Sequence, residues 1–211
     1  MSKWIGAICI FLGVVCLLGA VGFVVYNRWE EQSAEEISQS LLEDAQSVIA
    51  KRPTAPDDTE TLPDDTETLP DVTEQLPTEM ATVKVGGYDC IGILSIPVLD
   101  VELPILTQWS YAKLKKAPCH YYGTYYEKDF VIAAHNYKSH FGRLSQLQAG
   151  DPVIFTDVNG VAYYYEVVLS ETLPKDATQE MITSGFALSL YTCTPGGANR
   201  VTIRCNAIPG A

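Results

Sequence analysis

An all-β domain, a barrel or a sandwich, carried behind a membrane helix and an extended acidic stalk is what this sequence of 211 residues predicts. Three observations predict it. An uncharged run fills residues 4–26. Acidic residues crowd the next zone, 27–80. From Lys84 onward the apolar runs are short, rich in Val, Ile and Tyr, and cut by turn residues, the composition of strands rather than helices.

The first zone reads "WIGAICIFLGVVCLLGAVGFVVY", 23 residues without a charge. At 1.5 Å per residue a helix of that length crosses the ~30 Å hydrocarbon core with some tilt. A signal peptide would have a shorter apolar run of about 7–15 residues and a small-residue cleavage site; "GAVG" at 19–22 is the one faint candidate, so length favours an uncleaved anchor. Lys3 sits on one side of the run and Arg28, diluted by Glu30, Glu31, Glu35 and Glu36, on the other. The basic-residue rule then puts residues 1–3 in the cytoplasm as a short tip and everything after residue 26 outside the cell.

Residues 27–52 carry Trp29, Ile37, Leu41, Leu42, Ala45, Val48 and Ile49 mostly at spacings of three and four, an amphipathic helix that Pro53 would end. Its apolar stripe suits either self-association or packing on its own domain. Residues 53–80 contain "DDTETLPDDTETLPDVTEQLP", a seven-residue unit given almost three times. A proline in every unit rules out a coiled coil, and the dense acids with few large apolar residues make a hydrated, extended linker.

Charge is distributed to match. Residues 27–80 hold fifteen acids and three bases, whereas residues 81–211 hold eleven acids and ten bases. The net charge of −12 therefore belongs to the linker zone. No basic face exists on the near-neutral domain to release counterions, so nucleic acid is not an expected partner.

Within 81–211, strands are expected at 92–96, 101–106, 130–134, 152–156, 162–169, 187–192 and 201–203. "DVNG" at 157–160 reads as a hairpin turn, and one short helix is expected at 141–148, where Phe141, Leu144 and Leu147 share a side. About 130 residues suffice to bury a core without disulfides.

Six cysteines are present, two of them, Cys9 and Cys16, apolar fillers in the anchor. No CxxC pair supports a zinc ribbon or a thioredoxin-type site, and no metal or other cofactor is expected. Cys193 ends an alternating segment in "LSLYTCTPGGANRVTIRC", and Arg200 opens the next. If these segments pair as antiparallel neighbours, residues 194–199 are their loop, and Cys193 faces Arg200 with Cβ atoms ~5 Å apart. A guanidinium beside a thiol favours the thiolate and can hold charge developing on an attacked carbonyl. The bland alternative is a buried cysteine beside a surface arginine. A nucleophilic cysteine also needs a proton partner. Of the three histidines, His135 ranks first, because it ends "FVIAAH" and leads into a polar loop; His120 lies in an aromatic run that looks like packing, and His140 could cap the short helix or face solvent.

"AAHN" after a strand, "FGRLSQLQAGDPVIF", and "LSLYTCTPGGANRVTIR", in the order His, Cys, Arg, closely resemble the sortases, membrane-anchored cysteine transpeptidases of Gram-positive bacteria. "GILSIPVLDVELPIL" is similar to the sortase opening strands, so the resemblance covers about residues 88–205. It implies a closed β-barrel of about eight strands with one or two short helices. It implies that Cys193 attacks the Thr–Gly bond of an LPxTG-like sorting signal and holds a thioester. His135 would be acid and base, and Arg200 would stabilise the oxyanion and the bound substrate, with Arg204 the competing arginine. Thr192, Ala134 and Asn136 would line the substrate. A cell-wall precursor or a pilin lysine would supply the acceptor amine. Ser189 stands where the family pattern usually has threonine, Asn136 is class B-like, and "APCHYYGT" and the short segment before residue 187 resemble classes A and D. Two other readings use the same residues differently: a tethered cysteine peptidase hydrolysing cell-wall peptides, which would not need Arg200, and a non-catalytic stalked barrel with a structural Cys193.

Overall fold

A computed structural model describes residues 2–51 and 79–209. The order is α1 (Ser2–Ala50), β1 (Val83–Val85), β2 (Tyr88–Ile96), β3 (Val101–Leu106), α2 (Tyr111–Leu114), β4 (Cys119–Tyr122), β5 (Phe130–Ala133), β6 (Pro152–Asp157), β7 (Ala162–Pro174), α3 (Thr178–Ile182), β8 (Leu188–Cys193) and β9 (Asn199–Ala207). The acidic repeat expected over 53–80 lies outside the described residues apart from its last two.

Eight strands close into a barrel. The ring runs β2-β3-β4-β5-β8-β9-β7-β6 and returns to β2, which pairs with both β3 and β6. Closure leaves no open sheet edge. β1 hangs outside the ring as a hairpin on β2, turned at Gly86 and Gly87, both at positive φ as a two-residue hairpin loop requires. Inside the ring lies a core of Ile91, Leu94, Ile105, Phe130, Ile132, Phe155, Leu188, Leu190 and Ile203. Each such side chain contributes about 1.5–3 kcal/mol by leaving water.

The expected seven strands all form, and the structure adds β1 and β4, together with the short helices α2 and α3. The "DVNG" turn joins β6 to β7: Asp157 Oδ1 accepts from the amides of Asn159 (2.8 Å) and Val161 (2.9 Å). The helix expected at 141–148 is corrected to a single 3-10 turn, Leu144–Gln146. Phe141 N and Gly142 N bond back to His135 O and Tyr137 O, and within the stretch the amides reach three residues back rather than four, Leu144 N to Phe141 O and Leu147 N to Leu144 O, so the turn winds as 3-10.

α1 is one continuous helix of 49 residues. Its first half is long and apolar enough to cross a membrane and leaves Phe11, Leu17 and Phe23 exposed. Its second half packs on its own barrel: Ala34, Ser38, Leu41 and Ala45, at helical spacing, are buried, and Leu41 and Ala45 join Val83, Val85, Cys90, Cys119 and Val158 in a second core. Tyr26 and Trp29 stand between the two halves, in contact at 6.4 Å and both exposed.

Candidate active site

β8 and β9 run antiparallel with Cys193 directly opposite Arg200, the last pair of their ladder. The loop that joins them is fixed by Thr194 N donating to Asn199 O (3.0 Å) and Gly197 N donating to Thr194 O (2.8 Å). β5 and β8 are parallel neighbours whose last register pair is Ala133 with Tyr191. Ala134 N donates to Tyr191 O (3.1 Å), and Thr192 Oγ1 donates to Ala134 O (3.0 Å). Carried two residues past Ala133 and Tyr191, the register brings His135 level with Cys193.

Strand alternation decides which way these side chains face. Phe130 and Ile132 on β5 with Ala134 just past its end, Leu188 and Leu190 on β8, and Ile203 and Cys205 on β9 fill the core. The alternate set, with Ser189, Tyr191 and Cys193 on β8 and Arg200, Thr202 and Arg204 on β9, therefore faces outward. The thiol and the guanidinium thus leave two paired strand ends on one outer face, and His135 follows the end of the neighbouring β5; all three are half-buried. Thr192 and Ala134 lie buried behind that face, and Asn136 is half-buried beside it.

The two arginines have different surroundings. Arg204 is 2% exposed and saturated: Nε meets Glu171 Oε1 at 2.7 Å, Nη1 donates to Ser189 Oγ at 2.8 Å, and Nη2 donates to Glu180 O at 2.7 Å under the roof of α3. Arg200 has only carbonyl partners, Gly197 O and Asn199 O at 3.1 Å from Nη1, and no carboxylate pairs with it among the described residues. With Tyr121, Tyr191 and Met181 it lines a narrow cleft between the barrel and α3.

The other barrel thiols are not competitors. Cys90, Cys119 and Cys205 are fully buried, and burial pushes them up to about 11, 12 and 12 respectively. No disulfide joins the five described cysteines. Burial pulls His135 below the usual histidine range, against an opposing pull from Asn136 and from the Glu30 charge on α1. Its ring stacks on Tyr137 (4.0 Å between centroids, 12° between planes). His120 is a packing residue: its Nε2 meets Gly123 O at 2.7 Å and its ring lies 5.8 Å from Phe130. His140, expected as a cap or a solvent-facing side chain, is instead completely buried, with no hydrogen-bond partner on either ring nitrogen among the described residues. It is buried because the backward-bonded loop turns it under Tyr137, 5.5 Å away. Among the described residues no three His, Cys, Asp or Glu side chains gather around a common point to hold a metal.

Sequence reasoning missed three neighbours of this site: Glu30, Lys115 and Tyr137. Tyr137 sat in the polar loop in plain view, but Glu30 is one acid among many, and only the docking of α1 distinguishes it. Gly142 was also unmarked. A Cβ there would stand 2.5 Å from Asn136 O and 2.7 Å from Tyr137 O, so glycine is what lets the chain pack against the loop behind His135.

No curated protein matches the sequence. Solved structures do. Sortase A from Corynebacterium diphtheriae superposes with a TM-score of 0.52 at 23% identity, over 59% of this chain and 64% of that one. Sortase C1 from Streptococcus agalactiae gives 0.52 at 25% identity, over 58% and 69%. A sortase D5 transpeptidase of Clostridium perfringens gives 0.51 at 21%, over 57% and 79%. The chain thus spans somewhat under two thirds of the length of the C. diphtheriae structure. The sequence model of the Sortase domain matches residues 94–208, from mid-β2 past the end of β9 and so more than half of the chain. By that match, on a closed barrel shared with these structures, the chain belongs to the sortase family.

Proposed function

We propose that the protein is a membrane-anchored cysteine transpeptidase that cleaves an LPxTG-like sorting signal and passes the acyl group to an amine. The observation that carries this reading is the direct pairing of Cys193 with Arg200 at the strand end where His135 also emerges. Cys193 Sγ attacks the carbonyl carbon of the Thr–Gly bond, and the developing oxyanion takes hydrogen bonds from Arg200, which has no carboxylate partner among the described residues. As the C–N bond breaks, the His135 imidazolium gives its proton to the leaving amine, and a thioester remains. An incoming amine attacks that thioester, His135 takes its proton, and Cys193 leaves as the thiolate. Thr192 and Ala134, bonded to each other, hold the two strand ends in place beneath the substrate, and Asn136 flanks it. The acceptor is a cell-wall precursor or a pilin lysine, and the catalytic domain lies outside the cell, tethered by the apolar half of α1.

The test is incubation of the full chain in detergent micelles with an LPxTG peptide, followed by intact-mass spectrometry and product analysis with and without hydroxylamine. A thioacyl adduct on Cys193, absent in Cys193→Ala, and product diverted to the hydroxamate support transfer. Adduct with hydrolysis alone, unmoved by amines, supports a peptidase. No adduct from any peptide of a library returns Cys193 to a structural role.

A further inference from the structure

α1 does more than tether the barrel. One turn past Tyr26 its side chains reach the loop that follows His135. Lys115, just after α2, forms an ion pair with Glu30. Glu31 Oε1 accepts from the backbone amide of Lys138 at 2.8 Å. Between Lys138 and His135 stands Tyr137, whose ring lies flat on the imidazole. The loop is thus gripped on its outer side by the helix that leaves the membrane, while Gly142 and the backward-directed amides of 141 and 142 grip it from beneath. From these contacts we propose that the start of the extramembrane part of α1 belongs to the active site, with Glu30 and Glu31 as positioning residues that seat Tyr137 and the His135 imidazole.

The role has a physical reason. His135 must carry a proton in a half-buried place, where desolvation favours the neutral ring. The charged groups bearing on it are Glu30 from α1, which favours the imidazolium, and Lys115, which opposes it. His140 lies beyond Tyr137, kept neutral by burial. Lys115 in turn holds the Glu30 carboxylate ionised and below its ordinary range. Glu31 therefore supplies the fixed seat, through the Lys138 amide, and Glu30, held by Lys115, the counter-charge, in a side chain still 25% exposed and so replaceable without loss of the fold. Because α1 is unbroken from the apolar run to Ala50, rotating or shifting the membrane segment moves this seat directly.

This inference rests on the transpeptidase reading for its kinetic consequence but not for its spectroscopic one. In the full chain in micelles, Glu30→Gln lowers kcat for Cys193 acylation ~10-fold with KM little changed, and Glu30→Asp recovers most of it. Titration of ¹⁵N-labelled histidine by NMR shows the His135 midpoint falling in Glu30→Gln and rising in Lys115→Gln, directions that a purely structural role for the pair would not separate. Glu31→Ala releases the Lys138 amide and broadens the His135 resonance. Unchanged His135 midpoint and resonance in all of these variants, with unfolding midpoints as in the wild type, would overturn the proposal. If the wild type acylates with no peptide, the transpeptidase reading fails and the titration still decides whether Glu30 seats the ring.

Discussion

Arg200 and Arg204 stand four residues apart on the same outer face of β9, yet among the described residues only Arg204 has a carboxylate partner. The difference separates stability from chemistry. Replacing Arg204 with Met strands Glu171, Ser189 and two carbonyls under α3 and should cost about 3 kcal/mol of stability, read by urea unfolding. Replacing Arg200 with Ala should leave unfolding unchanged within about 0.5 kcal/mol. Acylation of Cys193 should fall on the order of 10²–10³-fold, the loss expected when an oxyanion donor is removed. Arg200→Lys keeps a point charge without the fork and should recover only a small part. The opposite pattern, activity lost with Arg204 and stability lost with Arg200, would reassign the two.

Thiol chemistry gives a second prediction. Of the barrel cysteines only Cys193 is open to solvent, and the other three are buried with their thiolates disfavoured. Native protein at neutral pH should take up one iodoacetamide on the barrel, on the peptide containing Cys193, and three more only after unfolding. Peptide mapping reads the sites. Labelling of Cys205 at a comparable rate would mean that the barrel opens between β7 and β9.

The pairing of Cys193 with Arg200 was legible because both strands alternate cleanly through "LSLYTC" and "RVTIR", so period two and a short Gly-Gly loop determine the register. β7 was harder. A bulge between Val167 and Leu169 shifts the alternation, exposing Val168 and Leu169 in succession, and the expected strand stopped there while the real one continues to Pro174. β1 and β4 have three and four residues and exist through their neighbours, beyond any local signal. The surroundings of His135, with Glu30 and Lys115 on the outer side of its loop and the buried His140 beneath, depend on where a distant helix docks and how a loop folds under itself. Neither is encoded by spacing.

Thr192 tests how far the strand ends themselves matter. Its hydroxyl is buried and donates to Ala134 O, a side-chain tie between β8 and the chain just before His135. Thr192→Val keeps the shape but leaves that carbonyl unpaired, a cost of about 1–2 kcal/mol in unfolding free energy. If the tie sets the distance from thiol to imidazole, acylation should fall further than this stability change explains, with kcat affected more than KM. Stability lost with kcat intact would limit Thr192 to packing.

His140 should make the fold acid-sensitive. Burial, with a smaller contribution from the nearby His135, lowers it to about 4, against about 6.5 in an unfolded chain. The native state therefore holds this ring neutral while the unfolded state protonates it. Between pH 6.5 and about 4 the unfolded chain binds the extra proton, so stability falls as pH falls through that window and is fully present above it. At 1.36 kcal/mol per unit the loss attributable to this residue is about 3 kcal/mol at the acid end. His135 and His120, also lowered by burial, act in the same direction. Urea unfolding at pH 7 and pH 4.5 should therefore show a larger drop for the wild type than for His140→Phe, which fills the same site without a titrating group. Because His140 packs on Tyr137 and Tyr137 on His135, the same acidification should loosen the loop that carries the His135 imidazole before the barrel itself opens. Hydrogen exchange at the amides of residues 137–142 reads that order: they should lose protection at a higher pH than the amides of β8 and β9. Simultaneous loss in all of them would mean that His140 acts on the whole barrel rather than on its loop.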